Sequence, residues 1–396
     1  MLESLDPGTI SAGQVLRLVR NGEANTRTEL ARLAGLSRST LAERVQTLLA
    51  LELLDEVTGV ESTGGRPPAT LAFNSSAGVV LVADIDGTLC RAAVSDLSGT
   101  PLVEERFEFD VTLPPADGLD VIHARFAALM RAAGSAIGQV WGIGIGVPAP
   151  VTVGGGEPVA QGVLPGWDGF SIPGWFAPHY DVPVLVDNHV NLSALGEHWT
   201  YWRDVEHLLY VMIGTGIGCG IVSDGRVHRG AQGSAGDIGH IRVAGHDEVV
   251  CRCGNTGCLE AVAGGEALAA RLRAAGVASA RSGADVVTLA RAGEPLALQA
   301  VRDAGRAVGE VLAECINFYN PSAIVVGGEL AETPQQLLAG VREAVIGRSM
   351  PMATRDLLVA SSRLGERAGM IGAAIMVIED VLAPANVDRA VARHTH

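Results

Sequence analysis

The chain has 396 residues, 48% hydrophobic and 4% aromatic, with 29 basic and 44 acidic side chains for a net charge of −15. That length predicts two or three domains with cores of Val, Leu, Ile and Ala, as in α/β folds. The charge excludes nonspecific nucleic-acid binding by the whole chain and leaves room for a small DNA-binding module. No lysine occurs, which excludes a Walker-type phosphate lysine and a Schiff base. No apolar run approaches the roughly 20 residues that span a bilayer. The start, MLESLDPGTI, lacks the basic and apolar regions of a signal peptide. A cytoplasmic protein with no membrane partner is expected.

GQVLRLVRNG (13–22) predicts a first helix. TRTELARLAGLSRSTLAERVQTLLALELL (26–54) holds two helical patterns broken at Gly35-Leu36-Ser37. Leu30, Leu33 and Ala34 mark one apolar face, and Leu41, Val45, Leu48 and Leu49 another. Ser37 suits an N-cap. Short helix, glycine turn and longer helix form the helix-turn-helix pattern. Two β-like runs, LLDEVT and ATLAFN, flank GVESTGGRPP and read as a wing whose glycine-rich tip can approach a phosphate backbone. The second helix of the pair would enter a major groove N-terminus first, so Arg38, Ser39, Thr40 and Arg44 are the expected DNA contacts. Arg66 in the wing would enter a minor groove or hold a phosphate. A helical protein-interaction module is the alternative for this segment.

From Gly78 the texture changes to strands and glycine turns. VVLVADIDGTLCRAAVSDLSG predicts a strand, a DIDGT turn and a second strand; VWGIGIGVPAPV (140–151) predicts a buried strand. VLVDNHVNLSALGEHW (184–199) predicts a strand that ends at three polar residues and runs into a helix, the usual form of a ligand site at a strand end. HLLYVMIGTGIGCGIVSDGRV repeats the first hairpin around GTGIG, and SAIVVGGEL (322–330) predicts a further strand. Glycines at such turns let backbone N–H groups approach an anion. Two hairpins of this kind predict two similar lobes around a cleft.

His240, Cys251, Cys253 and Cys258 in GHIRVAGHDEVVCRCGNTGC read as a closed tetrahedral zinc set, structural because no coordination position is left open. His246 is the reserve fourth ligand, and unrelated cysteines beside a surface histidine are the alternative.

Taken together, these residues resemble the ROK family of repressors and sugar kinases, over almost the whole chain. The most specific part is GHIRV…CRCGNTGCLE. The resemblance implies a winged helix-turn-helix (1–75) followed by a two-lobed α/β actin-like, ribonuclease H-like ROK domain (76–396). Lobe 1 would take about 76–188 and 363–396, and lobe 2 about 189–362. It makes Asp84, Asp86, Gly87 and Thr88 a first phosphate loop, Gly214, Thr215 and Gly216 a second, and VVGGEL a neighbour of adenosine. It places Asn188, His189, Asp237, His240 and Glu260 on sugar-contacting positions, with one structural zinc ion orienting the sugar loop.

The sequence departs from the kinase pattern at several points. His189 stands where kinases carry the aspartate that takes the sugar proton, and Asp86 where they carry a glycine. A carboxylate at that loop opposes phosphoryl transfer. Asp237 replaces a glutamate, Val163 a polar residue, and the zinc loop is about one residue longer. The expected function is a sugar-responsive transcription regulator, a repressor. Its cleft would bind a carbohydrate effector without phosphorylating it, and its other partner would be operator DNA. A homodimer is expected, with a tetramer as the alternative. The competing reading is an active ATP-dependent hexose or aminosugar kinase fused to a DNA-binding domain.

Overall fold

The computed structural model describes residues 10–57, 69–159 and 164–394. Three helices open the chain: α1 (Ala12–Arg20), α2 (Arg27–Ala34) and α3 (Arg38–Ala50). Ser11 and Thr26 close capping boxes on α1 and α2, and Ser37 accepts from the Thr40 amide at the start of α3. Each cap satisfies amides that the helix itself leaves unpaired. Strands β1 (Leu54–Val57) and β2 (Thr70–Phe73) pair antiparallel. This is the helix order and strand pair of a winged helix. Arg66 and the rest of the expected wing tip lie outside the described residues.

Leu30, Ala34, Leu41, Val45 and Leu48 form the core of this unit with α1, as expected. Leu33 does not: it is 41% exposed. At 100° per residue it stands about 60° from Leu30 on the side away from Ala34, at the margin of their shared face.

The first large sheet holds β3 (Val79–Asp86), β4 (Leu89–Asp96), β5 (Pro101–Glu108), β6 (Val140–Val147) and β7 (Val184–Asn188), in the order β5-β4-β3-β6-β7. The first three form an antiparallel meander, and β6 and β7 run parallel to β3. Helices α4 (Pro115–Ala133) and α5 (Ile172–Phe176) cover one side, and α6 (His189–Tyr201) leaves the end of β7.

The second sheet holds β8 (Leu208–Ile213), β9 (Ile217–Ser223) and β10 (Arg226–His228). After α7 (Leu259–Ala263), α8 (Gly265–Ala274), α9 (Gly283–Arg291) and α10 (Pro295–Tyr319) comes β11 (Ala323–Gly327). Helices α11 (Pro334–Arg348) and α12 (Pro351–Thr354) precede β12 (Leu358–Ser361). The order β10-β9-β8-β11-β12 repeats the first sheet's pattern of meander plus two parallel strands. The two similar lobes expected from the paired glycine hairpins are thus present as duplicated topology.

Helix α13 (Ala368–Val381) packs against α6, and α14 (Pro384–His394) ends the described chain. A Cβ on Gly372 would lie 1.8 Å from the Leu192 carbonyl oxygen, so this contact requires glycine. Met370, Ala373, Val377 and Ile378 of α13 share one buried cluster with Val15, Leu16 and Leu41 of the N-terminal unit. Burying each large apolar side chain of the cluster stabilises the fold by about 1.5–3 kcal/mol relative to exposure. Asp388 of α14 also accepts from the Gly13 amide at 2.8 Å. The N-terminal unit is therefore docked on the first lobe, beyond what a linker alone would do. Among the described residues, no single helix is long and apolar enough to cross a membrane.

Candidate functional site

The two glycine turns face each other between the sheets. Gly87, at φ +57, ends the β3 strand and turns the chain into β4. A Cβ placed on it would lie 3.6 Å from the Thr215 hydroxyl of the second turn. Gly87 of the first turn and Thr215 of the second are thus neighbours.

Asp84 is buried, and its Oδ1 has no hydrogen-bond partner among the described residues. It fills the space that a side chain on Gly146 or Gly369 would need. Burial pushes its carboxyl up to about 8, and Asp86 adds to the shift while Arg91 opposes it. Glu329, just past β11, is also raised, by burial first and then by Asp86. Its carboxylate closes on the Gly283 end of α9, and its amide lies near Gly214. The half of the cleft expected to hold phosphates therefore gathers Asp84, Asp86 and Glu329. Sequence reading missed Glu329, because VVGGEL points to a turn and carries no sign of a facing carboxylate.

At the end of β7, Asn188 caps α6 by accepting from the Val190 amide at 2.8 Å. His189 is the first residue of α6 and is buried. Its Nδ1 lies 3.8 Å from Asp86 Oδ1, so the two departures from the kinase pattern are neighbours in space. Burial lowers the His189 pKa below its ordinary value, and the Asp86 charge opposes that shift.

Asp187, beside them, was not singled out from sequence. Its buried carboxylate takes the Arg229 Nε at 2.7 Å and Nη2 at 2.6 Å, and accepts from Asn191 at 3.1 Å. Asp187 ends a strand of the first sheet, and Arg229 follows β10 of the second, so the pair ties the two lobes. Both line a cavity of about 230 Å³ with Val151, Thr152 and Val186. Arg229→Ala leaves Asp187 without its cation. The expected loss is about 2 kcal/mol, below the roughly 3–5 kcal/mol of a fully buried pair because Arg229 is partly exposed. Equal denaturation midpoints for the variant and the parent would remove the pair's role as a tie.

His240, Cys251, Cys253 and Cys258 converge, with ligand atoms within 4.8 Å of one another. The reserve ligand, His246, is not in the cluster. His240 Nδ1 is 3.6 Å from Cys251 Sγ, and Cys253 Sγ is 3.7 Å from Cys258 Sγ. A tetrahedron with metal–sulfur bonds of about 2.3 Å has edges of about 3.8 Å, so the spacing fits such a metal. Burial and the neighbouring thiols push Cys258 up to about 12.

The other ring nitrogen of His240, Nε2, is 3.9 Å from Oδ1 of the exposed Asp237. Glu260 accepts from the Ile217 amide at 3.2 Å, and its other oxygen pairs with Arg252 at 2.8 Å. Glu260 thereby joins the cysteine loop to the second glycine turn. Arg252 was missed because it lies between two cysteines whose spacing dominates that stretch.

On the N-terminal unit, Arg38 and Ser39 are exposed at the start of α3. Thr40 is half-buried and its hydroxyl bonds to Ser37. Arg44 is half-buried, with its Nε enclosed and unpartnered among the described residues.

Duplicated sheets with facing glycine turns define a two-lobed actin-like domain, here preceded by a winged-helix-type unit. Residues 80–380 match the ROK family, and the chain belongs to that family. The xylose repressor of Caldicellulosiruptor bescii is 27% identical over 381 residues, covering 93% of this chain and 95% of that protein. A solved ROK family transcriptional regulator, a homolog of the Escherichia coli MLC protein, superposes with a TM-score of 0.81 at 26% identity. It covers 96% of this chain and 98% of its own. A ROK family glucokinase from Streptomyces griseus, solved with glucose and AMPPNP, gives a TM-score of 0.65 at 27% identity. That match covers 76% of this chain and 99% of the glucokinase.

Proposed function

We propose that this protein is a transcription regulator, a repressor, whose cleft binds a carbohydrate effector without phosphorylating it. The observation that carries the reading is the N-terminal unit. It is docked on the lobes, presents Arg38 and Ser39 outward, and lies within a match spanning nearly the full length of the xylose repressor and the solved regulator. The chemistry of the cleft supports the absence of kinase activity. The Asp86 carboxylate opposes the charge of a nucleotide's phosphates, and His189 replaces the carboxylate base.

In this reading Asn188, His189, Asp237, His240 and Glu260 border the sugar. Zinc held by His240, Cys251, Cys253 and Cys258 fixes the loop carrying Asp237 and Arg252. A sugar that binds one arrangement of the lobes better than another shifts the docked N-terminal units and so changes operator affinity. A homodimer matches the two-fold symmetry usual in such operators.

The test is binding of the full chain to its own promoter fragment, with and without each of a panel of neutral pentoses, hexoses and aminosugars. One sugar is expected to change the affinity. Arg38→Ala is expected to weaken binding by about tenfold, the cost of one base contact at roughly 1–3 kcal/mol. A substitution is preferable to deleting residues 1–75, which would strip α14 of its packing against α1. No promoter binding, or ATP-dependent turnover of a panel sugar well above a no-enzyme control, would overturn the proposal.

A further inference from the structure

The meeting of His189 and Asp86 has a chemical consequence for the cleft. The imidazole Nδ1 is enclosed, makes no hydrogen bond among the described residues, and faces Asp86 Oδ1 at 3.8 Å. Nε2 is not among the enclosed unpartnered atoms and bonds to no described residue, so it is the less enclosed of the two nitrogens. The backbone holds the ring in place: Asn188 caps the helix, and the Ser193 hydroxyl donates to the His189 carbonyl at 2.8 Å. Asp86, by contrast, is 59% exposed at the lip of the turn.

Two effects keep this ring neutral. It is buried, and it stands at the N-terminus of α6, where the helix dipole disfavours a cation; the Asp86 charge opposes both. A neutral imidazole carries one proton, and the partner of one nitrogen decides which nitrogen keeps it. At 3.8 Å the Asp86 carboxylate is too far for a direct hydrogen bond, but its charge favours the proton on the nearer nitrogen, Nδ1.

We infer that Asp86 is a positioning residue that holds the His189 proton on Nδ1 and leaves Nε2 as a hydrogen-bond acceptor for a ligand hydroxyl. The role in ligand binding rests on the reading of the cleft as a sugar site; the placement of the proton does not. The same arrangement names the ligand class. An acceptor nitrogen backed by a carboxylate receives a hydroxyl proton and repels an anion. The group facing His189 is therefore a free sugar hydroxyl and not a phosphate ester.

The test starts with the full-length protein, its histidines labelled with nitrogen-15, and His189→Gln to assign the His189 signals. Two-bond proton–nitrogen spectra of the parent should show His189 as the neutral ring protonated at Nδ1. In Asp86→Ala the ring should move to the Nε2-protonated form that free imidazole side chains prefer. A parent ring protonated at Nε2, or at both nitrogens, overturns the inference, and so does a pattern that Asp86→Ala leaves unchanged.

Calorimetry then reads the ligand side, with D-xylose, D-glucose, N-acetylglucosamine and glucose 6-phosphate as probes. For a neutral sugar that binds the parent, Asp86→Ala should weaken affinity about 5- to 10-fold, as the loss of one hydrogen bond does, and Asp86→Glu should recover part of it. Glucose 6-phosphate binding as tightly as the neutral sugars overturns the ligand class. If no neutral sugar binds, the sugar-sensor reading fails, while the spectra still decide where the proton sits.

Discussion

Cys253→Ser is expected to abolish metal retention and lower the melting temperature by roughly 10 °C. The position is chosen because it separates metal loss from packing loss. Cys251 and Cys258 are buried, so serine there would bury an unpaired hydroxyl whether or not a metal is present. Cys253 is exposed, and its sulfur faces Cys258 and the Asn255 amide without joining the core. A serine at this place costs the metal-free protein almost nothing. Whatever stability is lost then measures the ion. An ion present at a thousand times its dissociation constant stabilises the folded chain by about 4 kcal/mol. At roughly 2–4 °C per kcal/mol for domains of this size, that gives the stated shift. Metal analysis should find one zinc per parent chain and none in the variant. A chelator should lower the parent to the variant's melting temperature and leave the variant unmoved. A variant that kept both its zinc and its melting temperature would sink the metal assignment. The effect should also reach the cleft, because Arg252 and Asp237 sit on the loop that the cluster closes.

Local sequence carried much of this molecule. Helix caps, the Gly35 break, the strand ending at Asp187-Asn188-His189 and the cysteine spacing are all set within a few residues of chain, and each could be read directly. The duplicated sheets were legible for the same reason, since each glycine turn sits between two apolar strands. What could not be read were meetings between distant segments. His189 looked partnerless because its partner, Asp86, lies on another strand of the same sheet. Asp187 looked like part of a polar strand end, although its charge is matched by Arg229 from the opposite lobe. Leu33 fitted the margin of an apolar face by spacing, yet it remains exposed. The resemblance to a family supplied positions for the cleft residues. It could not supply the consequence of two departures falling side by side.

Asp84→Asn is expected to raise stability, and to do so in a way that depends on pH. The Asp84 carboxyl is fully enclosed, its Oδ1 lacks a partner among the described residues, and its folded pKa is about 8 against an ordinary value of 3.8. A carboxyl raised on folding keeps its proton in the native state while the unfolded chain releases it. Its favourable contribution is therefore complete below about pH 4, shrinks as pH rises, and is lost by about pH 8. Near pH 7 the unfolded chain gains roughly three pKa units of ionisation that the folded chain forgoes, or about 4 kcal/mol. Asparagine fills the same space between Gly146 and Gly369 and has no charge to lose. The variant should melt roughly 8–16 °C above the parent at pH 7, at about 2–4 °C per kcal/mol, with the gap closing toward pH 4. A gap that stays constant across this range would mean that the gain comes from packing or hydrogen bonding. A lower melting temperature at every pH would mean that Asp84 is ionised and paired in the native cleft. The sign of the pH dependence thus tests whether the phosphate half of this cleft keeps an uncharged acid at its floor.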